Sequence, residues 1–430
     1  MADRDRFAHL LRRATYGATA EEVDQAERVG FDAAVDALVS PARPDRGAAA
    51  TPPPVLGADP YAALDRNATR EQRQAAQKTR RDQIQALTVW WVERMTAAEN
   101  QLHEKLVFFW HGHWATSVQK VDSAQLMLAQ QEVFRRYATG QFGPFVKAML
   151  RDAALIRWLD GQRNTRKAPN ENLARELMEL FTLGIGNYTE DDVKAGARAL
   201  TGWAIDRVTG QVKLEPARFD DGVKTILGQT GKFDADGFAD LLMQQPASSQ
   251  FLAKRLWYRF ASGEPMPAEA QARIAAAGHD IAAMVKAMFR DPAFAGTRGH
   301  LVKQPVEWVV GALRQLQAKP EAQLLREFAS LDQVPFRPPS VGGWPSGAQW
   351  LTTFSAQTRL RLAEVLATKT SPAILDRITA APAAGRADAL ARLLVVDAWT
   401  DRTRKVLTDS AARPQRLIAL GLASPEYAVQ

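Results

Sequence analysis

The stretch "PNENLARELMELFTLG", Pro169 to Gly184, decides how the chain is read. Placed on a helix at about 100° per residue, Leu173, Leu177, Leu180 and Phe181 fall on one arc. Glu171, Asn172, Arg175, Glu176 and Glu179 fall on the other. Asn170 is a good N-cap and Gly184 a good residue just past the C-terminus. The segment is therefore an amphipathic helix, with an unusual polar side. That side carries no lysine and is rich in Asn, Glu and Arg, residue types that build hydrogen-bonded networks. Three readings stay open. The arc is a solvated face, or a structural network joining Arg175 to Glu171 or Glu179 at i,i+4 spacing. The third is a working site, where crowded carboxylates raise one another's pKa and set a general acid beside a general base.

The same helical period dominates the rest of the chain. Residues 20–41 read as two short helices broken near Gly30 and stopped by Pro41. A Pro/Ala-rich loop fills 42–60, because three consecutive prolines cannot continue a helix. Further helices are expected at about 70–95, 99–110 (ending near Gly112), 122–137, 142–159 and 170–183, and again from about Asp234 onward. The one strand signal is "WAIDRVTGQVKLEP", two alternating stretches about Thr209-Gly210, which predicts a hairpin. "PFRPPSVGGWPSGAQW", Pro335 to Trp350, has four Pro, three Gly and two Trp. It must be irregular yet anchored, since two indoles favour burial. A short Ala/Pro linker falls at 380–385. The expected fold is mainly α: one large multi-helix domain over 1–430, with a small β-hairpin near residues 203–217.

Bulk properties narrow the function. The 430 residues are 46% hydrophobic and 24% charged, which is ordinary for a globular protein with a sizeable core. The net charge of +7 is spread thinly, and the densest basic run, Lys78 to Arg81, has no nucleic-acid motif beside it. The composition thus argues against a nucleic-acid partner. With no cysteine there is no disulfide, thiolate nucleophile or Cys-ligated metal. No apolar run reaches the ~18 residues of a membrane span. The chain as it stands reads as cytoplasmic, or as exported if a leader has been removed. No Walker A loop, dinucleotide fingerprint or Gly-x-Ser-x-Gly elbow is present, so nucleotide-dependent and serine-hydrolase readings lack support. The cofactor is left unknown: haem ligation by histidine stays open, without a covalent attachment motif.

A second constellation is "WHGHW", Trp110 to Trp114. On a helix His111 and His113 diverge by roughly 200°; on a turning segment they converge. Gly112 is a plausible helix end, so both geometries are reachable. Structural, catalytic and metal-ligating roles stay open, a glutamate from 171, 176 or 179 completing a metal site in the last case. Tryptophan is the third signal. Trp110, Trp114, Trp203, Trp344 and Trp350 lie in these motifs, where they serve as core anchors or as platforms for sugars and flat ligands. Arg12 and Arg13, next to His9, pair structurally or clamp an acidic ligand. Asp221-Gly222, between Asp220 and Lys224, is a turn signal.

Together with these motifs, "HLLRRATYG" (His9–Gly17), "FFWHGHWATS" (Phe108–Ser117), "YTEDDVKAGARALTGW" (Tyr188–Trp203), "DDGVKTILGQTG" (Asp220–Gly231) and "LASPEY" (Leu422–Tyr427) stand in an order that resembles a large bacterial family, domain of unknown function 1800. The resemblance implies a predominantly helical fold, no established reaction, and export of many members. The family commonly has a histidine where this chain has Phe219.

Three functions follow from the residues. The first is an enzyme using acid–base chemistry of His111, His113, Glu171, Arg175, Glu176 and Glu179. Its substrate would be carbohydrate-like, bound by Trp110, Trp114, Asn172, Trp203 and Trp344 and undergoing hydrolysis or elimination. The second is a metal-dependent hydrolase or oxidoreductase with a His/Glu site. The third is a non-catalytic binding or scaffold protein with a structural polar network. Oligomeric state is not legible.

Overall fold

Local polar residues set the helix ends. Thr19, Thr69 and Thr189 each open a helix with a reciprocal capping box, partnered by Glu22, Gln72 and Asp192. Pro246 and Pro305 sit in the first turn of their helices, where a missing N–H is harmless. The structure, a computed structural model, describes all residues except 1, 2, 63, 66 and 323. Among the described residues there are twenty-five α-helices and two two-stranded antiparallel sheets. None of those helices is long and apolar enough to cross a membrane.

The elements that position the site are α1 (Asp3–Ala14), α2 (Arg70–Ala97), α3 (Gln101–His113), α4 (Ala124–Tyr137), α5 (Asn172–Glu176, continuing as a π-helical turn over Leu177–Thr182), α6 (Glu190–Ala199), α7 (Pro246–Phe260) and α8 (Pro305–Leu316). Helix α3 is central, packed by α1, α2 and α4. One hydrophobic cluster runs from Phe7 to Tyr427, so both ends of the chain share a core. Arg12 of α1 forks onto Asp397 at 2.8 and 2.7 Å. Val302 and Val429 form an isolated antiparallel bridge.

The expected hairpin is present. Strands β1 (Trp203–Ile205) and β2 (Val212–Leu214) pair antiparallel, Trp203 opposite Leu214 and Ile205 opposite Val212, with Gly210 at φ 71° in the turn. A second hairpin was not expected: β3 (Lys224–Ile226) pairs with β4 (Gln229–Gly231). Its turn puts Leu227 and Gly228 both at positive φ, a conformation a leucine rarely takes. Asp192 of the α6 capping box holds it there by accepting from Leu227 N at 2.6 Å. That contact is tertiary, so the sequence offered no local sign of it.

Three further departures have local causes. The expected 142–159 helix breaks into Phe142–Met149 and Ala153–Trp158, because Asp152 caps the second piece by accepting from Leu155 N at 2.7 Å. The 42–60 loop contains one short helix, Arg46–Ala49, capped by Asp45. The 380–385 linker contains a 3-10 turn at Ala383–Gly385.

The 335–350 loop is anchored. Val118 N donates to Phe336 O at 2.9 Å, and Trp350 is buried. Trp344 is half-buried and stacks on Phe108 with ring centroids 5.4 Å apart.

Chain crossing at Gly17 makes a test of the core. Gly17 has φ +106°, and a Cβ there would sit 2.5 Å from Gly311 Cα on α8. Gly30 has φ +88° but nothing within 4 Å of its Cβ position. Gly17→Ala should therefore cost about 3 kcal/mol, strain plus a backbone clash, and Gly30→Ala only about 1 kcal/mol. Thermal melts followed by circular dichroism check this; equal losses would contradict the close approach.

Candidate functional site

Both histidines of "WHGHW" lie on α3 itself, which ends at His113 rather than near Gly112. They therefore look in opposite directions, as a helix requires. His111 sits among Trp91, Phe336 and Trp344, with Trp91 at 5.2 Å between centroids. Its Nε2 accepts from Phe336 N at 3.0 Å. An accepting Nε2 leaves the proton on Nδ1, which is buried without a partner. His113 faces Phe109, Phe142 and Phe181. Its Nε2 lies 3.0 Å from Phe181 O and donates to it. The two rings thus hold opposite tautomers.

Burial keeps both neutral. It brings the His111 pKa down to about 3. His113 is held well below its ordinary value by burial, then by the nearby Arg255 charge. "WHGHW" meets the 170–183 helix at Phe181, whose carbonyl bonds His113 and whose ring packs against His113 and Trp114, and not at the glutamates. Neither histidine hydrogen-bonds Glu171, Glu176 or Glu179. Among the described residues no three His, Asp or Glu side chains gather where they could hold a metal ion.

The polar arc of α5 is a half-exposed face. Arg175 bonds Glu171 at 2.9 Å, and Glu190 of α6 at 2.7 and 2.8 Å. Asn170 acts as a cap, accepting from Asn172 N at 3.0 Å, and Asn172 is exposed. Gly184, at φ +82°, closes the turn. Glu179 accepts from the Tyr188 hydroxyl at 2.9 Å. Burial, then the Glu179 charge, raises the Glu176 pKa, against a lowering by Arg175.

The tryptophans separate. Trp110 and Trp114 are sealed in the core, Trp110 donating to Ala138 O at 3.1 Å. Trp203 is buried on β1 with Arg151 over its ring at 5.6 Å. Of these tryptophans, Trp344 borders the cavity described next. Phe219 packs under the Lys224 ammonium at 5.4 Å. Lys224 is itself spent on the carbonyls of Asp220 and Gly222. Arg12 is likewise spent on Asp397 and Val395 O.

The cavity beside Trp344 lies between α3, α7 and the 335–350 loop. Phe108 and Gly112 come from α3; Arg255, Tyr258 and Arg259 from α7; Trp344 from the loop. It encloses about 80 Å³ and opens to solvent. Its floor includes Gln304 and Gln430, and no Asp or Glu lines it. Arg255 and Arg259 are four apart, on one face of α7. That spacing in the apolar run "LAKRLWYRF" (Leu252–Phe260) was the available sequence signal for the pair.

A family model described as "Protein of unknown function (DUF1800)" matches residues 9–429. No curated protein and no solved structure matches the chain.

The neutral histidines fix a pH response. Folded His111 titrates near 3, far below the ordinary 6.5, and His9 likewise. The unfolded chain therefore takes up protons first, so stability is present above about pH 6.5 and is lost as pH falls toward 3. His111→Gln can still accept from Phe336 N and cannot protonate. Its unfolding free energy, from denaturant titrations at each pH, should fall less steeply between pH 7 and 5 than that of the parent, by up to about 1.4 kcal/mol per pH unit. Parallel curves would contradict a neutral His111.

Proposed function

The chain belongs to the DUF1800 family, and from that premise we propose that it is a ligand-binding protein whose working surface is the cleft under the 335–350 loop. The observation that carries this is Trp344: half-buried, stacked on Phe108, and bordering the cavity that Tyr258 also lines. Such an aromatic wall suits a flat or apolar ligand, or the apolar face of a sugar. The lining polar groups are arginines, amides and hydroxyls. With neither an imidazole nor an Asp or Glu side chain among these groups, the cleft supports binding over the His/Glu acid–base chemistry that the motifs suggested.

A second reading keeps acid–base chemistry but moves it to the outer face of α5. It is favoured by Glu176, whose raised pKa stands beside Glu179 on a π-helical turn, a feature common at functional sites. In that reading Glu176 is the acid and Glu179, oriented by Tyr188, the base. A solvated carbohydrate-like substrate would react there without help from the histidines.

A thermal-shift screen with oligosaccharides and small aromatic molecules separates the two. In the binding reading, Trp344→Ala loses roughly tenfold in affinity, about 1.4 kcal/mol, for any ligand found. Unchanged affinity would remove the cleft. In the second reading, Glu176→Gln abolishes a hydrolytic or eliminating activity that Trp344→Ala leaves intact; activity persisting in Glu176→Gln would end it.

A further inference from the structure

We infer that the ligand of this cleft carries an oxyanion, a carboxylate or a phosphate, seated between Arg255 and Arg259, with a flat apolar body against Trp344 and Tyr258. The inference rests on the cleft reading above and names the chemistry of its ligand.

Arg255 supplies the first argument. It is mostly withdrawn from solvent, and its Nε is buried without a hydrogen-bond partner. Among the described residues no carboxylate pairs with its guanidinium. A guanidinium taken out of water without a counter-charge is costly, and proteins rarely leave one so. Arg259, one turn on, is half-used. Its Nη1 donates to Glu307 at 2.9 Å, while its Nη2 is buried with no partner.

The surroundings do not neutralise this pair. Glu307 bonds Lys105 as well as Arg259, and its charge also acts on Arg13 and Lys303. One carboxylate answers Lys105, Arg259 and Arg13 together. No Asp or Glu side chain is among the described lining residues while two guanidinium groups are, an arrangement that favours an anion in a partly enclosed cavity. Guanidinium groups also match carboxylate and phosphate by geometry, offering parallel N–H donors.

Size divides the ligand in two. The enclosed 80 Å³ holds a compact anionic head but not the body of a ligand, which ordinarily needs ~300 Å³ or more. The remainder must lie in the open part, along Trp344 and Tyr258.

The test uses the full chain at low salt, with calorimetric or ligand-observed NMR titration of phenyl phosphate, benzoate, inorganic phosphate and uncharged benzyl alcohol. Phenyl phosphate or benzoate should bind at least about tenfold tighter than benzyl alcohol. Arg255→Gln should erase that advantage and flatten its salt dependence without lowering the melting temperature, since among the described residues Arg255 bonds no protein group. Which of the two aromatic anions wins distinguishes a phosphate from a carboxylate ligand. Equal binding of charged and neutral probes, lost only in Trp344→Ala, would overturn the oxyanion and leave the cleft. Binding indifferent to both variants would overturn the cleft as well. Inorganic phosphate binding as tightly as phenyl phosphate would overturn the flat body. No binding of any oxyanion at about 10 mM would overturn the inference outright.

Discussion

The buried carboxylate of Glu307 is the constraint on which the rest of the structure hangs. It lies in the first turn of α8 and accepts from Lys105 of α3 at 2.8 Å, from Arg259 of α7 at 2.9 Å and from its own Gln304 N at 3.0 Å. Burial alone would push its pKa up, but Arg259 and Lys105 more than offset that and hold it well below the ordinary range. Lys105 in turn donates to the carbonyls of Arg12 and Thr15, at 3.3 and 2.9 Å, where α1 ends. The ammonium's three protons are all used. Four segments far apart in sequence are thus joined at one point. Breaking such a buried pair by removing one partner costs about 3–5 kcal/mol, because the other charge is left unpaired.

The cleft is a consequence of that arrangement. Lys105, Phe108, Phe109 and Gly112 recur at helical spacing along α3, so the face that binds Glu307 at one end borders the cavity at the other. Arg259 does both tasks, giving one nitrogen to Glu307 and leaving another without a partner. The loop also meets α3 closely at Gly343, φ +85°, where a Cβ would collide with the Gly112 carbonyl oxygen. Function and stability therefore share side chains here.

"WHGHW" is instructive about motif reading. Two histidines beside two tryptophans look like chemistry, yet each imidazole satisfies one main-chain group and spends its ring on aromatic packing. His111 accepts the Phe336 N–H that would otherwise be orphaned inside the core, and so ties the 335–350 loop to α3. His113 gives a donor to Phe181 O, inside the π-helical turn of α5. A buried polar group of this kind is costly to leave unmade, which is reason enough for the residue without any reaction.

What the sequence by itself determined is local. The break at Gly30 and the stop at Pro41, the amphipathic division of α5 with its Gly184 end, and the hairpin about Thr209-Gly210 all follow from periodicity, capping and turn chemistry within a few residues. The family resemblance was legible for the same reason, as unbroken words of sequence. Only the tertiary structure decided the rest. It turned His111 and His113 to opposite sides, left Glu171, Arg175 and Glu190 in a half-exposed ion cluster, sealed Trp110 and Trp114 in the core, and gave Leu227 its left-handed turn. It also brought Arg255, Arg259, Phe108 and Trp344 around one cavity. Most of these outcomes depend on a partner more than ten residues away, such as Glu190 for Arg175, Asp192 for Leu227 and Phe336 for His111. Whether a polar side chain is spent or free is a property of that partner, and no local pattern encodes it.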